Sequence, residues 1–314
     1  MSLAFTFPGQ GSQAAGMGAD LAEAFAAARE VFQEVDEALG QNLSKLMREG
    51  PIEDLTLTEN AQPALMAVSL AVVRSLKVEF GVDVSKAAFV AGHSLGEYSA
   101  LAAAEALGLA ETARLLKLRG QAMQRAVPVG QGAMASLIGP KATVELAEEA
   151  AKAGSAAGVC VVANDNNVGN VGISGDKAAV DLAIEKAKEL GARAVLLNVS
   201  APFHCPLMQP AADEMAEALA GAAILPPRAP LVANITARPV LEPDAIRRLL
   251  VEQVTGRVRW RESVEWMAGE GGVTRFAELG SGKVLTGMAK RMLPDAEALA
   301  LNAPADLEAF AKTL

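Results

Sequence analysis

The residues best suited to chemistry are Gly92-His93-Ser94-Leu95-Gly96, which fit the pattern G-x-S-x-G. Such a stretch turns sharply from strand to helix and projects the serine hydroxyl from its tip, where it can attack a carbonyl. The glycines are needed because a side chain at either place would clash in so tight a turn. A serine there sits at a helix N-terminus, where unpaired N–H groups and the helix dipole favour negative charge. The five residues alone also fit an ordinary tight turn, so the flanks decide. Residues 87–91 (AAFVA) are a short apolar run suited to a buried strand, and residues 97–107 (EYSALAAAEAL) read as a helix that stops at Gly108.

A nucleophilic serine needs a base, and the chain has two histidines, His93 and His204. Neighbouring side chains diverge at such a turn, so His93 is expected to pack or hydrogen-bond beneath it. His204 is left as the base, because imidazole titrates near working pH. It follows the serine, as in the chain order of serine hydrolases. Pro202 and Pro206 fix its loop after an apolar strand at 194–197. A carboxylate or a backbone carbonyl can orient the imidazole. Asp165, Asp176 and Asp181 lie between serine and histidine, and nothing in their settings separates them.

The first strand, at 3–7, runs into Pro8-Gly9-Gln10-Gly11-Ser12-Gln13. This glycine-rich loop lacks the lysine of a P-loop and the spacing of a dinucleotide fingerprint. It suits one half of an oxyanion hole, with the N–H groups of Gln10 and Leu95 as donors. In the helix expected at 109–127, Arg119 has Leu115, Leu116, Ala122 and Met123 as its neighbours three and four residues away, which puts it on the apolar face. Arg114 and Lys117 read as solvated. An inward arginine needs an anion, either a structural carboxylate or that of a substrate.

These residues must be held by a larger frame. At 314 residues the chain can bury a large core and divide in two. Helices are expected at 61–76 and 97–107. From Gly132 the pattern becomes strand 133–138, helix 141–153, strands 159–163 and 168–174 around an Asn-rich turn, helix 176–190 and strand 194–197. That is the βαββαβ order of a ferredoxin-like unit. The expected fold class is therefore α/β: a large α/β-hydrolase-like domain with a parallel sheet (residues 1–127 and 199–314) and an inserted ferredoxin-like subdomain (128–198). Further strands are expected at 231–233 and 275–279.

Composition narrows the function classes. Half the residues are hydrophobic and a fifth charged, as in ordinary globular enzymes. No apolar run reaches the roughly 18 residues of a membrane span, and no signal-peptide core opens the chain. Cys160 and Cys205 are too few for a disulfide framework, and no metal-ligand spacing exists, so a cytoplasmic protein with free thiols is expected. The net charge of −9 argues against nucleic acid as a partner. Within 257–291, however, seven basic residues (Arg257, Arg259, Arg261, Arg275, Lys283, Lys290, Arg291) face four acidic ones, a balance that suits one anionic partner.

Six blocks together resemble the malonyl-CoA:acyl carrier protein transacylase family: FPGQGSQ (7–13), TENAQPAL (58–65), GHSLGEY (92–98), RGQAMQ (119–124), SAPFHCPLM (200–208) and QVTGRVRW (253–260). The resemblance runs nearly end to end. It implies Ser94 as nucleophile, His204 as base, the carbonyl of Gln253 orienting the imidazole, and the N–H groups of Gln10 and Leu95 as oxyanion hole. It implies Arg119 on the malonyl carboxylate, Met123 and Phe203 around the acyl group, Gln62 among the substrate-binding positions, and Asn164 and Asn166 at the pocket rim. Phe203 before His204 is similar to malonyl-selective members. Cys205 departs from the family's frequent serine, a near-isosteric exchange. The implied reaction carries malonyl from coenzyme A to the phosphopantetheine thiol of an acyl carrier protein through a malonyl-serine, for fatty acid or polyketide synthesis. No bound cofactor is implied, since coenzyme A is substrate and phosphopantetheine belongs to the carrier. A monomer is expected, with an acidic carrier docking near Lys283, Lys290 and Arg291. Two rival readings are a serine esterase or thioesterase with the same elbow, and an inactive homologue serving as a docking module. The inward Arg119 argues against the first, and Ser94, His204 and Arg119 together against the second.

Overall fold

The computed structural model describes residues 2–314. Its strands are β1 (Leu3–Phe7), β2 (Phe89–Gly92), β3 (Gly132–Ile138), β4 (Cys160–Asn167), β5 (Asn170–Asp176), β6 (Arg193–Leu196), β7 (Leu231–Val232), β8 (Pro239–Val240), β9 (Arg275–Leu279) and β10 (Glu297–Leu301). They form two sheets, ordered β10-β9-β1-β2-β7-β8 and β4-β5-β3-β6.

In the first sheet β10, β9, β1, β2 and β7 run parallel, and β8 turns back against β7. Parallel strands need both faces covered, and β1 (LAFTF) is nearly continuously apolar, whereas β9 (RFAEL) buries Arg275 and Glu278 as well. Every residue of β1 and of β9 is buried. The helix Thr58–Phe80 lies deep in the core, with residues 60–72 buried throughout. Against it packs the helix Leu109–Ala126, and the two approach closely at Gly120, where a β-carbon would lie 2.5 Å from Glu59 Cα. That approach brings Arg119 beside Gln62.

The second sheet is antiparallel, and its order is the ferredoxin-like one expected for βαββαβ. Its helices, Val144–Gly154 and Lys177–Glu189, pack together through alanines and Gly154. The Asn-rich segment differs from expectation. Asn164, Asp165, Asn166 and Asn167 belong to β4 and not to a turn. Main-chain bonds Val258 N–H to Ala163 O and Asp165 N–H to Val258 O draw that end of β4 onto the first unit. Three helices also differ. The one expected at 61–76 runs Thr58–Phe80 and ends only at Gly81, which turns left-handed at φ 68°. The one expected at 97–107 is Gly96–Ala103: Glu105 adopts φ 58°, and the Ala104 and Ala106 carbonyls accept from Arg228 and Leu225. The one expected from 141 starts at Val144, because the Thr143 hydroxyl caps Leu146 N–H.

Candidate active site

β1 and β2 are parallel neighbours with Phe7 opposite Gly92, so the loops that follow them emerge side by side at one sheet edge. The loops after β7 and β9 open at the same edge, which is where open α/β sheets place their sites. The two glycines of the serine turn are required by close approach. A β-carbon on Gly92 would lie 1.9 Å from Gly96 O, and one on Gly96 would lie 2.3 Å from Phe7 O. At the tip Ser94 adopts φ 52°, and His204 adopts φ 57°. Both are left-handed, a conformation costing about 1 kcal/mol or more for residues with a β-carbon.

The Ser94 Oγ lies 2.8 Å from His204 Nε2, and His204 Nδ1 lies 2.9 Å from the Gln253 carbonyl oxygen. A carbonyl can only accept, so Nδ1 carries the proton and Nε2 is left to accept from the serine hydroxyl. His204 is 3% exposed. Burial, reinforced by the nearby Arg119 charge, pushes its pKa down to about 3. The imidazole is thus neutral at working pH, the form a general base requires. None of the three aspartates reaches it: Asp165 pairs with Arg261, Asp176 accepts from Val159 N–H, and Asp181 pairs with Lys177.

Arg119 is 1% exposed. Its guanidinium donates to Gln62 Oε1 (2.8 Å), Gln253 Oε1 (2.8 Å) and Ser94 Oγ (3.2 Å), and its Nε has no partner among the described residues. All three acceptors are neutral. Burial lowers its pKa, partly offset by Tyr98 and Glu97, and the same burial raises Glu97 to about 7. No carboxylate among the described residues lies at ion-pair distance from this guanidinium, and because unpaired buried charge is strongly unfavourable the site favours an anionic group beside it.

Ser94, His204 and Arg119 border a cavity of about 310 Å³, together with Gln10, Leu95, Gln62, Asn164, Asn166 and Phe203. The Gln10 and Leu95 N–H groups have no acceptor among the described residues. Met123 and Gln253 do not line the cavity. Met123 sits one layer back, its Sδ 3.8 Å from Gln62 Nε2, while Met134 and Met288 take part in the wall. His93 packs and hydrogen-bonds as expected, its Nε2 2.9 Å from Asn166 Oδ1 and its ring 5.8 Å from that of Trp260, and it also takes part in the cavity wall. Lys117 is not freely solvated either, for it pairs with Glu59 at 3.0 Å.

Four of the seven basic residues in 257–291 are in ion pairs: Arg257 with Glu148, Arg259 with Glu262, Arg261 with Asp165, and Arg275 with Glu297. Lys283, Lys290 and Arg291 are exposed and have no ion-pair partner among the described residues. Lys283 precedes the helix Val284–Met292, and Lys290 and Arg291 lie in its last turn; the same helix lends Val284, Leu285 and Met288 to the cavity wall. Sequence reasoning missed Asn234, whose Oδ1 accepts from the Ser94 N–H at 2.8 Å. It lies 140 residues away behind a two-residue strand, with no local signal. Glu97 was also passed over, although a lone acid opening an otherwise apolar helix was a signal.

The acyl transferase domain family matches residues 4–302. A malonyl CoA-acyl carrier protein transacylase of Bacillus subtilis strain 168 is 44% identical over 99% of this chain and 97% of its own length. The crystal structure of an acyl-carrier-protein S-malonyltransferase from Bartonella henselae is 53% identical, with a TM-score of 0.96 and coverage of 100% of this chain and 99% of that one. A malonyl-transacylase solved in complex with its type II PKS acyl-carrier protein is 42% identical, with a TM-score of 0.95 and full coverage of both chains.

Proposed function

This chain belongs to the malonyl-CoA:acyl carrier protein transacylases of the acyl transferase family, and on that premise we propose what each group in its site does. The enzyme moves malonyl from coenzyme A to the phosphopantetheine thiol of an acyl carrier protein, in fatty acid or polyketide synthesis. Ser94 Oγ attacks the thioester carbonyl and gives its proton to His204 Nε2. The N–H groups of Gln10 and Leu95 receive the oxyanion. Collapse expels the coenzyme A sulfur, which takes the proton from His204, and leaves a malonyl ester on Ser94. The carrier's thiol then gives its proton to His204 and attacks that ester, and Ser94 leaves with the proton. The Gln253 carbonyl holds the imidazole in its working tautomer throughout.

The observation that carries this reading is Arg119, a buried guanidinium with neutral partners 3.2 Å from the serine oxygen. It binds the malonyl carboxylate, and Gln62 holds it in place. Phe203 shapes the acyl pocket directly and Met123 through Gln62, and Asn164 and Asn166 form the rim. An esterase has no use for a buried cation at this spot. The acidic carrier docks beside the cavity on Lys283, Lys290 and Arg291. We take residues 1–127 and 199–314 as the catalytic unit and 128–198 as the inserted one, in a cytoplasmic monomer that needs no bound cofactor.

A covalent ester divides the reaction in two, so varying donor and acceptor together gives parallel double-reciprocal lines. Mixing with malonyl-CoA alone releases one equivalent of coenzyme A in a fast phase. Intersecting lines without that phase contradict the reading.

A further inference from the structure

Ser94 stands at φ 52°, where a residue with a β-carbon stays only if its surroundings hold it. Side chains from elsewhere in the chain hold it at both ends. Its N–H donates to Asn234 Oδ1 (2.8 Å), and its carbonyl accepts from Gln253 Nε2 (2.9 Å). Asn234 is tied down in turn, its Nδ2 donating to the Gly92 carbonyl at 2.7 Å. One carboxylate oxygen joins the two holders. Glu97 Oε2 accepts from Gln253 Nε2 at 2.6 Å and from the Asn234 N–H at 3.3 Å. Glu97 is 1% exposed and has no ion-pair partner among the described residues, a costly setting for an acid.

Resting on the reading of Ser94 as nucleophile, we infer that Asn234 and Glu97 are positioning residues for it: Asn234 and the Gln253 side chain clamp the left-handed Ser94 residue, and Glu97 locks the clamp. The clamp fixes the direction in which Oγ meets His204 Nε2. It also engages the Ser94 N–H, while the adjoining Leu95 N–H remains available for an oxyanion. The clamp works through hydrogen bonds that Glu97 accepts and not through its charge. Both protonation states of a carboxyl retain an accepting oxygen, and burial places Glu97 near the boundary between them, at about 7.

The same Gln253 side chain also holds Arg119, so the test must separate serine positioning from carboxylate binding. A neutral fluorophosphonate that labels activated serines does so, because it carries no carboxylate for Arg119. Its labelling rate is measured beside kcat and KM for malonyl loading and beside the melting temperature. Glu97→Ala and Asn234→Ala are expected to slow labelling and loading together by about 10- to 100-fold, with KM within about threefold. Glu97→Gln, which keeps an accepting oxygen, restores most of the loss. Should Glu97→Ala fail to fold, Asn234→Ser carries the same expectation, since it frees the Ser94 N–H while keeping the main-chain N–H that Glu97 accepts. Labelling at the unmodified rate in folded variants overturns the inference. So does a loss confined to KM for malonyl-CoA, which would place Glu97 on Arg119 instead. Absence of any label on Ser94 in the unmodified enzyme overturns the nucleophile reading itself.

Discussion

Arg119 and His204 are each shaped by burial, and each yields a prediction. If the partner of Arg119 is the substrate carboxylate, a paired guanidinium forms in a dry pocket. Removing one partner costs about 2–5 kcal/mol, or roughly 30- to 5000-fold in transfer efficiency. Arg119→Ala should lose malonyl transfer by that order and keep or gain acetyl transfer, while Arg119→Lys recovers only part. Parallel loss of both acyl groups with a large drop in melting temperature would assign Arg119 a structural role. Its inward setting was legible from Leu115, Leu116, Ala122 and Met123. Its neutral partners were not, because Gln62 and Gln253 come from other helices. For His204, a pKa pushed from 6.5 to about 3 means the free enzyme keeps a neutral base well into acid. The acid limb of kcat/KM for loading should therefore lie below 6.5, and a limb at or above 6.5 would contradict the buried, neutral imidazole.

At the scale of elements, the turn from β2 into the helix Gly96–Ala103 is the part most tightly constrained by sterics. A β-carbon on Gly92 collides with main chain of the following helix, and backbone cannot yield as a flexible side chain does. Gly92→Ala should cost about 3 kcal/mol or more and abolish loading, read by denaturant melts and coenzyme A release; a variant of unchanged stability would refute the packing argument. The strand–turn–helix was legible because its apolar run, its two glycines and its alanine-rich stretch are contiguous. Its far end was not: Glu105 turns left-handed at φ 58°, and the Ala104 and Ala106 carbonyls beyond the helix accept from Arg228 and Leu225 through long-range bonds. The same cause hid the asparagines of β4: local composition reads Asn-Asp-Asn-Asn as a turn, while pairing with β5 and with Val258 draws it into a strand.

At the scale of the whole molecule, alternating patterns between Gly132 and Leu196 made the second sheet readable, since each segment is a regular helix or strand. The first sheet was less so. β7 answers to the strand expected at 231–233, but β8 and β10 were not expected, and their place in the sheet depends on neighbours far away. Charge at this scale is acidic overall, and the helix Val284–Met292 that lends residues to the cavity wall carries Lys290 and Arg291, with Lys283 just before it, all exposed. Reversing Lys283, Lys290 and Arg291 to Glu should weaken transfer to carrier protein by about tenfold or more and leave loading from malonyl-CoA intact. Equal loss in both halves, or none in either, would move the docking surface elsewhere. The central claim is a malonyl ester on Ser94, passed on by His204. The most direct measurement mixes the enzyme with labelled malonyl-CoA, quenches it in acid, maps the label by peptide mass and chases a second sample with carrier protein. The account predicts label on the Ser94 peptide alone, absent in Ser94→Ala, and moving quantitatively to the carrier in the chase; a stable label elsewhere, or transfer to carrier by Ser94→Ala at an undiminished rate, would contradict it.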